Sequence, residues 1–282
     1  MTVMTPQGRP FLKMHGLGND FVVLDARTDR FAVSAEAARA IGNRHTGVGF
    51  DQLVILEPPR DPSADVFMGL RNNDGSVAGA CGNATRCVAR LLMQETGKSK
   101  VTIQTQAGLL RAEAAPGGLF AVDMGPALLD WQDIPLASAM DSLALPVQIE
   151  GLPAPVGVGM GNPHAVFFVA DAEQAPVATI GPVVETHPLF PEKTNVEFAQ
   201  VLDRSRIRMR VWERGTGITQ ACGTGACATL VAAARLGLTD RKAEVILDGG
   251  SLIIEWRDDN HVMMTGSASL SFAGRLDASL LP

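Results

Sequence analysis

The chain has 282 residues, of which 46% are hydrophobic and 19% are charged, so it can bury the cores of two domains and is too apolar for wholesale disorder. A net charge of -6, with 24 Lys and Arg scattered along the chain, excludes a basic surface for nucleic acid. No uninterrupted apolar stretch approaches the roughly 18 residues of a membrane span, and four cysteines are too few for a disulfide scaffold, so we expect free thiols in the cytoplasm.

The first half is predicted to contain an early helix and five strands. Residues 1–10 lack the apolar core of a signal peptide and are predicted to form a polar extension before Phe11. Ser34 is a typical N-cap residue for the Ala-rich helix that ends at Ile41. Apolar and β-branched runs predict strands at 21–24, 52–56, 65–70, 101–105 and 119–124.

The second half shows a similar strand pattern after a stretch rich in Pro and Gly. Residues 125–155 have no strong periodicity, which favours a boundary between two lobes there. Asp248-Gly249-Gly250 predicts a hairpin turn between the last two strands. The fold class is therefore α+β, with sheets enclosing a helix. The predicted strands of this half are 165–169, 196–201, 207–212, 244–247 and 252–256.

A short motif occurs twice. Ala80-Cys81-Gly82 and Ala221-Cys222-Gly223 each precede a segment with apolar residues at helical spacing, and the two segments end at Gly97 and Gly237. Each Cys-Gly pair therefore starts a predicted helix. The two cysteines are 141 residues apart, half the length of the chain, which indicates a duplication and two similar lobes.

A cysteine at the first turn of a helix is a candidate reactive residue. Unpaired backbone amides and the helix dipole stabilise its thiolate, so Cys81 and Cys222 are candidate acid/base residues. The alternative for either residue is a small buried side chain without chemistry. Cys87 and Cys227 lie further along the same predicted helices and are assigned to packing.

Two such helix starts facing one cleft could bind one anion and react with it. The amides of Gly82, Asn83, Gly223 and Thr224 would converge on a carboxylate. A thiolate on one face could then remove the proton from the neighbouring carbon while a thiol on the other face returns one. This chemistry is racemisation or epimerisation, and it requires stabilisation of charge on the carboxylate.

Metal and redox sites are disfavoured by spacing. Zinc ligands usually occur as Cys-x2-Cys or His-x3-His, and neither pattern is found among the four Cys and five His. A thioredoxin-like Cys-x-x-Cys pair is also absent, although two facing thiols could oxidise to a disulfide. The sequence therefore predicts no metal ligands.

Further polar motifs interrupt apolar or Gly-rich surroundings. Each Asn beside a Gly could simply form a turn. Glu213 and Arg214 end a predicted strand nine residues before Cys222, so they lie either beside the thiol or on the solvated surface. His164 is either a satisfied core histidine or a proton partner of the site. The motifs are Gly18-Asn19-Asp20, Asp51-Gln52, Asn72-Asn73-Asp74-Gly75, Gly161-Asn162-Pro163-His164, Thr194-Asn195 and Glu213-Arg214-Gly215.

Together these residues resemble the diaminopimelate epimerase family. Residues 11–24, 72–87, 161–164, 195–198 and 213–228 are similar to the family's signatures in order and spacing. The resemblance implies a cofactor-independent enzyme that interconverts LL- and meso-2,6-diaminopimelate for lysine and peptidoglycan synthesis. It also implies a cytoplasmic homodimer with no nucleic acid or membrane partner.

The resemblance implies a fold and roles for individual residues. The fold would be two pseudo-symmetric lobes, each a mixed sheet closed around a central helix. Residues 1–125 form the first lobe, to which 268–282 return, and residues 126–267 form the second. Cys81 and Cys222 would be the acid/base pair, assisted by His164 and Glu213. The implied substrate contacts are Asn19, Gln52, Asn72, Gly82, Asn83, Asn162, Asn195, Glu213, Arg214, Gly223 and Thr224, with Arg214 suited to the distal carboxylate.

Some positions depart from the family pattern. Trp212 replaces the usual Tyr before Glu-Arg-Gly, Ile218 replaces a residue that is often acidic, and Ala84-Thr85 replaces a Gly-Ala pair. These side chains need not touch substrate, so the departures put local geometry in doubt rather than the reaction.

Two other functions remain open at this point. A proline racemase or hydroxyproline epimerase would use the same two thiols, but Glu213, Arg214 and the many Asn residues favour a substrate charged at both ends. A non-catalytic amino-acid binding protein would need the helix amides and not the thiols. Exchange of the α proton distinguishes an epimerase from such a binder.

Overall fold

A computed structural model of the chain describes residues 8–281. These residues form two compact units, divided between Val122 and Asp123 and again between Gly266 and Ser267. Most of the predicted polar extension, residues 1–7, lies outside the described residues. Gly8–Pro10 are not an extension, because they already pair with the C-terminal strand as the start of the first strand.

The elements follow in chain order. The chain first forms β1 (Gly8–Gly16), β2 (Asn19–Asp25), α1 (Ala35–Gly42), β3 (Gln52–Glu57), β4 (Val66–Asn72), β5 (Val77–Ala78), α2 (Gly82–Thr96), β6 (Lys100–Thr105), β7 (Gly108–Ala115) and β8 (Leu119–Pro126). It continues with β9 (Val156–Gly159), β10 (Pro163–Phe168), α3 (Val177–Glu185), β11 (Asn195–Asp203), β12 (Arg206–Glu213), β13 (Gly217–Ile218), α4 (Gly223–Arg235), β14 (Lys242–Leu247), β15 (Gly250–Trp256), β16 (His261–Gly266) and β17 (Ser269–Asp277).

The strands of the first unit pair in a mixed order. β1 pairs antiparallel with β17 and β2, β2 runs parallel to β3, and β3 is antiparallel to β4. β4 then runs parallel to β6, which is followed by antiparallel β7 and β8, and the short β5 pairs with β4. Helix α2 packs against β1, β6 and β7.

The second unit repeats this topology. The pairing is antiparallel for β9–β10, parallel for β10–β11, antiparallel for β11–β12, parallel for β12–β14, and antiparallel for β14–β15 and β15–β16. The short β13 pairs with β12 as β5 pairs with β4. Helices α1 and α3 each connect a parallel strand pair, and α2 and α4 hold matching positions. The predictions of an α+β fold and of a repeated design are confirmed.

Each of the two cysteine-led helices buries an apolar face. In α4, Ala226, Cys227, Leu230 and Val231 are fully buried, and the helix contacts β9 to β12 and β14 to β16. Its many alanines let neighbouring strands approach closely, which explains how a helix can lie at the centre of its unit. In α2, the buried residues include Cys87, Val88, Ala89 and Leu92.

Two arginines bind α2 to the segment through which the chain re-enters the first unit. Arg86 is fully buried, and its Nε donates to the Ser267 carbonyl at 3.1 Å. Arg90 Nη1 donates to the Ala268 carbonyl at 2.6 Å. The start of β17 is therefore held by the helix that Cys81 precedes.

All ten predicted strands and the early helix are present, but several elements escaped prediction. β7 and β17 are largely exposed, so they lack the buried alternation on which a strand prediction depends. Helix α3 contains Gly181 and Pro182, which are poor helix formers. Within the stretch 125–155, Ile134, Leu136, Leu145 and Val147 belong to the core of the second unit.

Among residues 8–281, none of the helices combines the length and the apolar composition needed to cross a bilayer.

The glycines that end α2 and α4 offer a matched test of the repeated design. Gly97 and Gly237 have φ of 70° and 71°, and a Cβ at either position would meet nothing within 4 Å. Gly97→Ala and Gly237→Ala should therefore each lower the free energy of unfolding by about 1 to 2 kcal/mol, because only backbone strain is added. Urea denaturation measures the loss, and Gly97→Asn should lose less because Asn tolerates this conformation. Equal stability of Gly97→Ala and the unchanged protein would contradict the assignment.

Candidate active site

In the first unit, a tight turn presents Asn19. Leu17 and Gly18 have φ of 56° and 84°, so both central residues of the β1–β2 hairpin are left-handed, as a two-residue type I′ turn requires. Glycine adopts this conformation freely, whereas Leu17 is strained there. Gly16 pairs with Asn19 across the turn, so Asn19 stands at the first position of β2.

Charged neighbours fix this turn. Asp51 accepts hydrogen bonds from the Asn19 side chain at 2.9 Å and from the Asp20 amide at 3.1 Å. Arg44 bridges the carboxylates of Asp20 and Asp51. Burial would raise the pKa of Asp20, but hydrogen bonds from Arg44 and Lys13 outweigh burial and lower that pKa to about 2. The orientation of Asn19 therefore rests on ionised partners.

Cys81 lies against Asn19. It precedes α2 in an extended conformation, with φ of -152°, and its Sγ is 3.9 Å from Asn19 Oδ1. Asn83 Nδ2 donates to the same Asn19 oxygen at 3.1 Å. The first amides of a helix have no intrahelical acceptor, so the start of α2, which Cys81 precedes, favours an anion.

A second pair of amides comes from two adjacent strands. Gln52 at the start of β3 pairs with Asn72 at the end of β4, and Gln52 Nε2 donates to Asn72 Oδ1 at 3.0 Å. Gln52 Oε1 and Asn83 Oδ1 are buried without a hydrogen-bond partner among the described residues. Because buried polar atoms are usually satisfied, these two acceptors suit the N–H groups of a polar ligand.

In the second unit, Cys222 occupies the equivalent position before α4. Its Sγ accepts a hydrogen bond from the Gly225 amide at 3.3 Å and lies 3.6 Å from Thr224 Oγ1. Cys222 is only 5% exposed. This thiol is therefore more enclosed than Cys81, which is half-buried.

Two glutamates accompany Cys222. Glu213 ends β12 and accepts a hydrogen bond from the Thr219 hydroxyl. Glu197 on β11 is fully buried, and a Cβ on Gly225 would lie 2.7 Å from its Oε1 and 3.1 Å from Cys222 Sγ. Glycine at 225 therefore lets the carboxylate and the thiol approach the same helical turn.

These surroundings set the pKa values of the thiol and of its neighbour. Burial raises the pKa of Cys222 well above its ordinary value, Glu213 and Glu197 raise it further, and hydrogen bonds from Thr224 and Gly225 oppose the rise. Burial also raises the pKa of Glu213, with a further increase from Glu197, while hydrogen bonds from Thr219 and Cys222 lower it. Cys222 therefore rests as a thiol beside a potential base.

His164 is linked to this group through a chain of hydrogen bonds. It is fully buried, with Nδ1 2.6 Å from Glu197 Oε1 and Nε2 3.0 Å from Asn162 Oδ1. Asn162 Nδ2 in turn lies 3.4 Å from Thr224 Oγ1. These hydrogen bonds connect Glu197 to the Thr224 hydroxyl that contacts Cys222, so they can orient that hydroxyl.

Asn195 and Arg214 are placed differently from the other candidates. Asn195 donates to the Pro163 carbonyl at 3.0 Å and accepts from the Arg214 amide at 2.9 Å, so both of its side-chain groups bind backbone. Arg214 is exposed, and its Nη1 donates to the Glu192 carbonyl at 2.9 Å. Of the two places open to this charged pair, the structure brings Glu213 beside Cys222 and leaves Arg214 on the surface.

The remaining cysteines are packing residues. Cys87 and Cys227 are fully buried within their helices, and burial raises the pKa of Cys87 to about 12. Their assignment to the core is confirmed.

Within residues 8–281, no group of three or more His, Cys, Asp or Glu side chains is arranged to hold a metal ion.

Sequence reasoning missed Glu197, Thr219 and Asp51 as parts of this arrangement. Glu197 left a signal, because it is the one charged residue in the predicted strand 196–201 and a buried charge needs a nearby partner. Asp51 belongs to the polar motif Asp51-Gln52, but the sequence indicates no role for it, and Thr219 leaves no signal. The importance of both depends on which side chain they meet in the fold.

The two units place their candidates at matching points of one topology. Asn19 and His164 lie near the starts of β2 and β10, and Gln52 and Asn195 start β3 and β11. Asn72 and Glu213 end β4 and β12, and each cysteine immediately precedes the helix that follows. Each unit thus combines one thiol, a helix N-terminus and polar strand ends, an arrangement suited to proton transfer next to a bound carboxylate.

Comparison with known proteins supplies the family. A sequence model of the family described as diaminopimelate epimerase matches residues 11–129 and 156–271. The chain belongs to the diaminopimelate epimerase family. Diaminopimelate epimerase of Rhodospirillum centenum is 61% identical over 274 residues, covering 97% of this chain and 94% of that protein. The enzyme of Acidiphilium cryptum is 54% identical, covering 97% of this chain and 98% of that protein.

Solved structures share the fold at low sequence identity. A predicted epimerase from Pseudomonas aeruginosa has a TM-score of 0.68 at 19% identity, covering 95% of this chain and 99% of that one. A hydroxyproline epimerase from Agrobacterium vitis has a TM-score of 0.68 at 15% identity, covering 95% of this chain and 90% of that one. These likenesses identify a diaminopimelate epimerase-like architecture, as the sequence predicted.

The carboxylate of Glu213 should control the ionisation of Cys222. In a Cys81→Ala background, Glu213→Gln removes a negative charge beside the thiol, so thiolate formation should move to lower pH by about 1 unit or more. The ultraviolet absorbance of the thiolate measures this, and the absence of Tyr from the chain removes the usual interference at high pH. A Cys81→Ala/Cys222→Ala variant supplies the baseline.

Glu173→Gln is the matched control, because Glu173 is an exposed glutamate of the same unit that pairs with Arg208. It should leave the titration of Cys222 unchanged. An unchanged or higher midpoint in Glu213→Gln would contradict the assignment of Glu213 as the neighbour that disfavours the thiolate.

Proposed function

We propose that this protein interconverts LL- and meso-2,6-diaminopimelate without a cofactor, using Cys81 and Cys222 as a two-base pair. The single observation that carries the proposal is the repeated placement of a thiol immediately before a helix N-terminus at the same point of both units. Membership of the diaminopimelate epimerase family supports the choice of substrate.

The reaction transfers protons at one carbon. The thiolate of one cysteine takes the α proton, so a C–H bond breaks and an S–H bond forms, while the other thiol donates its proton to the opposite face. The configuration at the α-carbon inverts and the pair of thiols exchanges roles. Charge that develops on the α-carboxylate is stabilised by the amides of Gly82 and Asn83 together with those of Gly223 and Thr224.

Glu213 and His164 assist the proton transfers of the thiols in this proposal. Glu213 accepts a hydrogen bond from Cys222, and its raised pKa makes its carboxylate a better proton acceptor. His164 reaches the same region through Asn162 and Thr224. Both groups are held in water-poor surroundings, where such transfers require little solvent reorganisation.

The remaining polar residues bind the substrate. Asn19 contacts Cys81 and can orient the reacting end, and Gln52 and Asn72 of the same unit offer amide groups. Asn162 binds the substrate near Cys222, and Arg214 binds the distal carboxylate through its planar guanidinium. Asn195 acts by fixing the backbone that carries Arg214.

Proton exchange tests the activity directly. The protein should incorporate deuterium at the α position of LL-diaminopimelate in heavy water without added pyridoxal phosphate. A binding protein would incorporate none. Equal turnover of proline would instead favour an imino-acid racemase and would refute a site built for a substrate charged at both ends.

Replacement of either candidate thiol should stop the reaction. Cys81→Ala and Cys222→Ala should each reduce deuterium incorporation by about 100-fold or more, because each removes one of the two proton carriers. Circular dichroism checks that the fold is intact. Cys87→Ala and Cys227→Ala are matched controls at buried positions of the same helices and should retain exchange. Full turnover in either Cys81→Ala or Cys222→Ala would rule out the two-base mechanism.

The proposal includes a cellular setting. The enzyme works in the cytoplasm, where a reducing environment keeps its four free cysteines as thiols. Its product supplies lysine and peptidoglycan synthesis. It acts as a homodimer and binds neither nucleic acid nor membrane.

An exposed apolar strand supports the dimer. Leu270 and Phe272 of β17 are 45% and 50% exposed, and Phe272 packs edge-on against Phe11 at 6.0 Å. An apolar strand surface of this kind suits an isologous contact with a second copy.

A charge on this strand should dissociate the dimer. Phe272→Asp would bury an unpaired carboxylate in the contact, so sedimentation velocity should detect a monomer where the unchanged protein sediments as a dimer. Leu236→Asp, at another exposed apolar residue, is the control and should remain dimeric. A Phe272→Asp protein that remains a dimer would exclude this strand from the interface.

A further inference from the structure

Residues 213–215 are held at each position by a different partner. The Thr219 hydroxyl donates to Glu213, and Asn195 Oδ1 accepts from the amide of Arg214 at 2.9 Å. The third partner is Glu185, which accepts from the amide of Gly215 at 3.0 Å. Since φ of Gly215 is 74°, the backbone turns sharply at the residue that Glu185 holds.

Glu185 lies at the end of α3, far along the chain from the segment that it holds. It is 6% exposed, and its Oε2 accepts from Trp212 Nε1 at 2.7 Å. Lys193 Nζ is 3.6 Å from the oxygen that binds Gly215. Both carboxylate oxygens therefore face donors, and an amide in this place would direct its own N–H groups at one of them.

The protonation state agrees with this geometry. Burial tends to raise the pKa of Glu185, but hydrogen bonds from Trp212 and Gly215 and the charge of Lys193 lower it below its ordinary value. The side chain is therefore an ionised acceptor for two N–H donors.

Trp212 is fixed against the same helix. A Cβ on Gly181 would lie 2.5 Å from Cβ and Cγ of Trp212, so the indole rests directly on the backbone of α3. This contact directs the indole N–H to Glu185. The departure of Trp212 from the family pattern thus has a specific place in the fold, as the second donor to a buried carboxylate.

We propose that Glu185, together with Trp212, is a positioning residue that sets the direction of Arg214 and thereby the affinity for the distal end of the substrate. The inference rests on the proposed function, in which Arg214 binds the distal carboxylate. Glu213 is held independently by Thr219 and by the ladder of β12. Loss of Glu185 therefore disturbs binding through Arg214 more than proton transfer at Cys222.

The test compares KM and kcat for diaminopimelate in the full-length enzyme. Glu185→Gln should raise KM about tenfold, because one buried donor loses its acceptor, while kcat changes by less than about twofold. Hydrogen exchange of the Gly215 amide, measured without substrate, should become faster in the same variant. Glu244→Gln, a half-buried glutamate of β14, is the control and should change neither quantity.

A double variant separates this arrangement from a general loss of stability. In Glu185→Gln the new side-chain amide can direct its N–H groups at the indole N–H of Trp212, and Trp212→Phe removes that indole N–H. The double variant Glu185→Gln/Trp212→Phe should therefore have a lower KM than Glu185→Gln alone. If Glu185→Gln does not fold, Trp212→Phe alone tests the arrangement, because it removes one of the two donors to Glu185, and an unchanged KM in that variant would overturn the proposal. Additive increases in KM would overturn the proposal.

The outcomes also distinguish this inference from the proposed function. If the unchanged enzyme is active but Glu185→Gln has an unaltered KM or unaltered exchange of the Gly215 amide, the role of Glu185 is overturned and the proposed function stands. A fall in kcat at constant KM overturns it as well, because the defect would then lie at the thiol. An unchanged enzyme that does not exchange the α proton of diaminopimelate overturns both.

Discussion

A cysteine placed immediately before a helix stands next to the first backbone amides of that helix, which have no carbonyl partner within it, and the rest of each unit is arranged around that position. The residue must leave the extended conformation of the preceding chain and enter the helix within one step, as Cys81 and Cys222 do. A glycine follows each cysteine, so a substrate carboxylate can approach the amides without meeting a side chain. The strands then bring polar residues to the same end of each helix.

The two thiols occupy different surroundings within their own units. Cys81 is half-buried and contacts Asn19, whose orientation depends on the charged network of Asp20, Asp51 and Arg44. Cys222 is almost fully buried near two glutamates, which favour its protonated form. A duplicated backbone can thus carry unequal electrostatics, because charge depends on side chains that the duplication leaves free to diverge.

Much of the fold followed from local pattern. The ten predicted strands had clear apolar runs, and the cysteine-led helices carried both a start and a left-handed glycine at the end. The missed elements lacked such signals: β17 exposes most of its side chains, β7 is rich in Ala, and α3 contains a Gly-Pro pair. Their structure depends on pairing and packing with residues distant in the chain, which periodicity does not register. The same limit applies to Glu185, whose partners lie on β12 and in the loop that follows it.

The sequence by itself determined the α+β class, the duplication, the two helix starts and the family, because these depend on residues close together in the chain or on the order of short motifs. Only the tertiary structure decided that Glu197 joins the group around Cys222, that Arg214 points to a carbonyl rather than to the thiol, and that Asn195 binds backbone on both sides. The physical reason is that hydrogen-bond partners and burial arise where separate strands and helices meet. A side chain's chemistry is therefore set by neighbours that its own stretch of sequence does not contain.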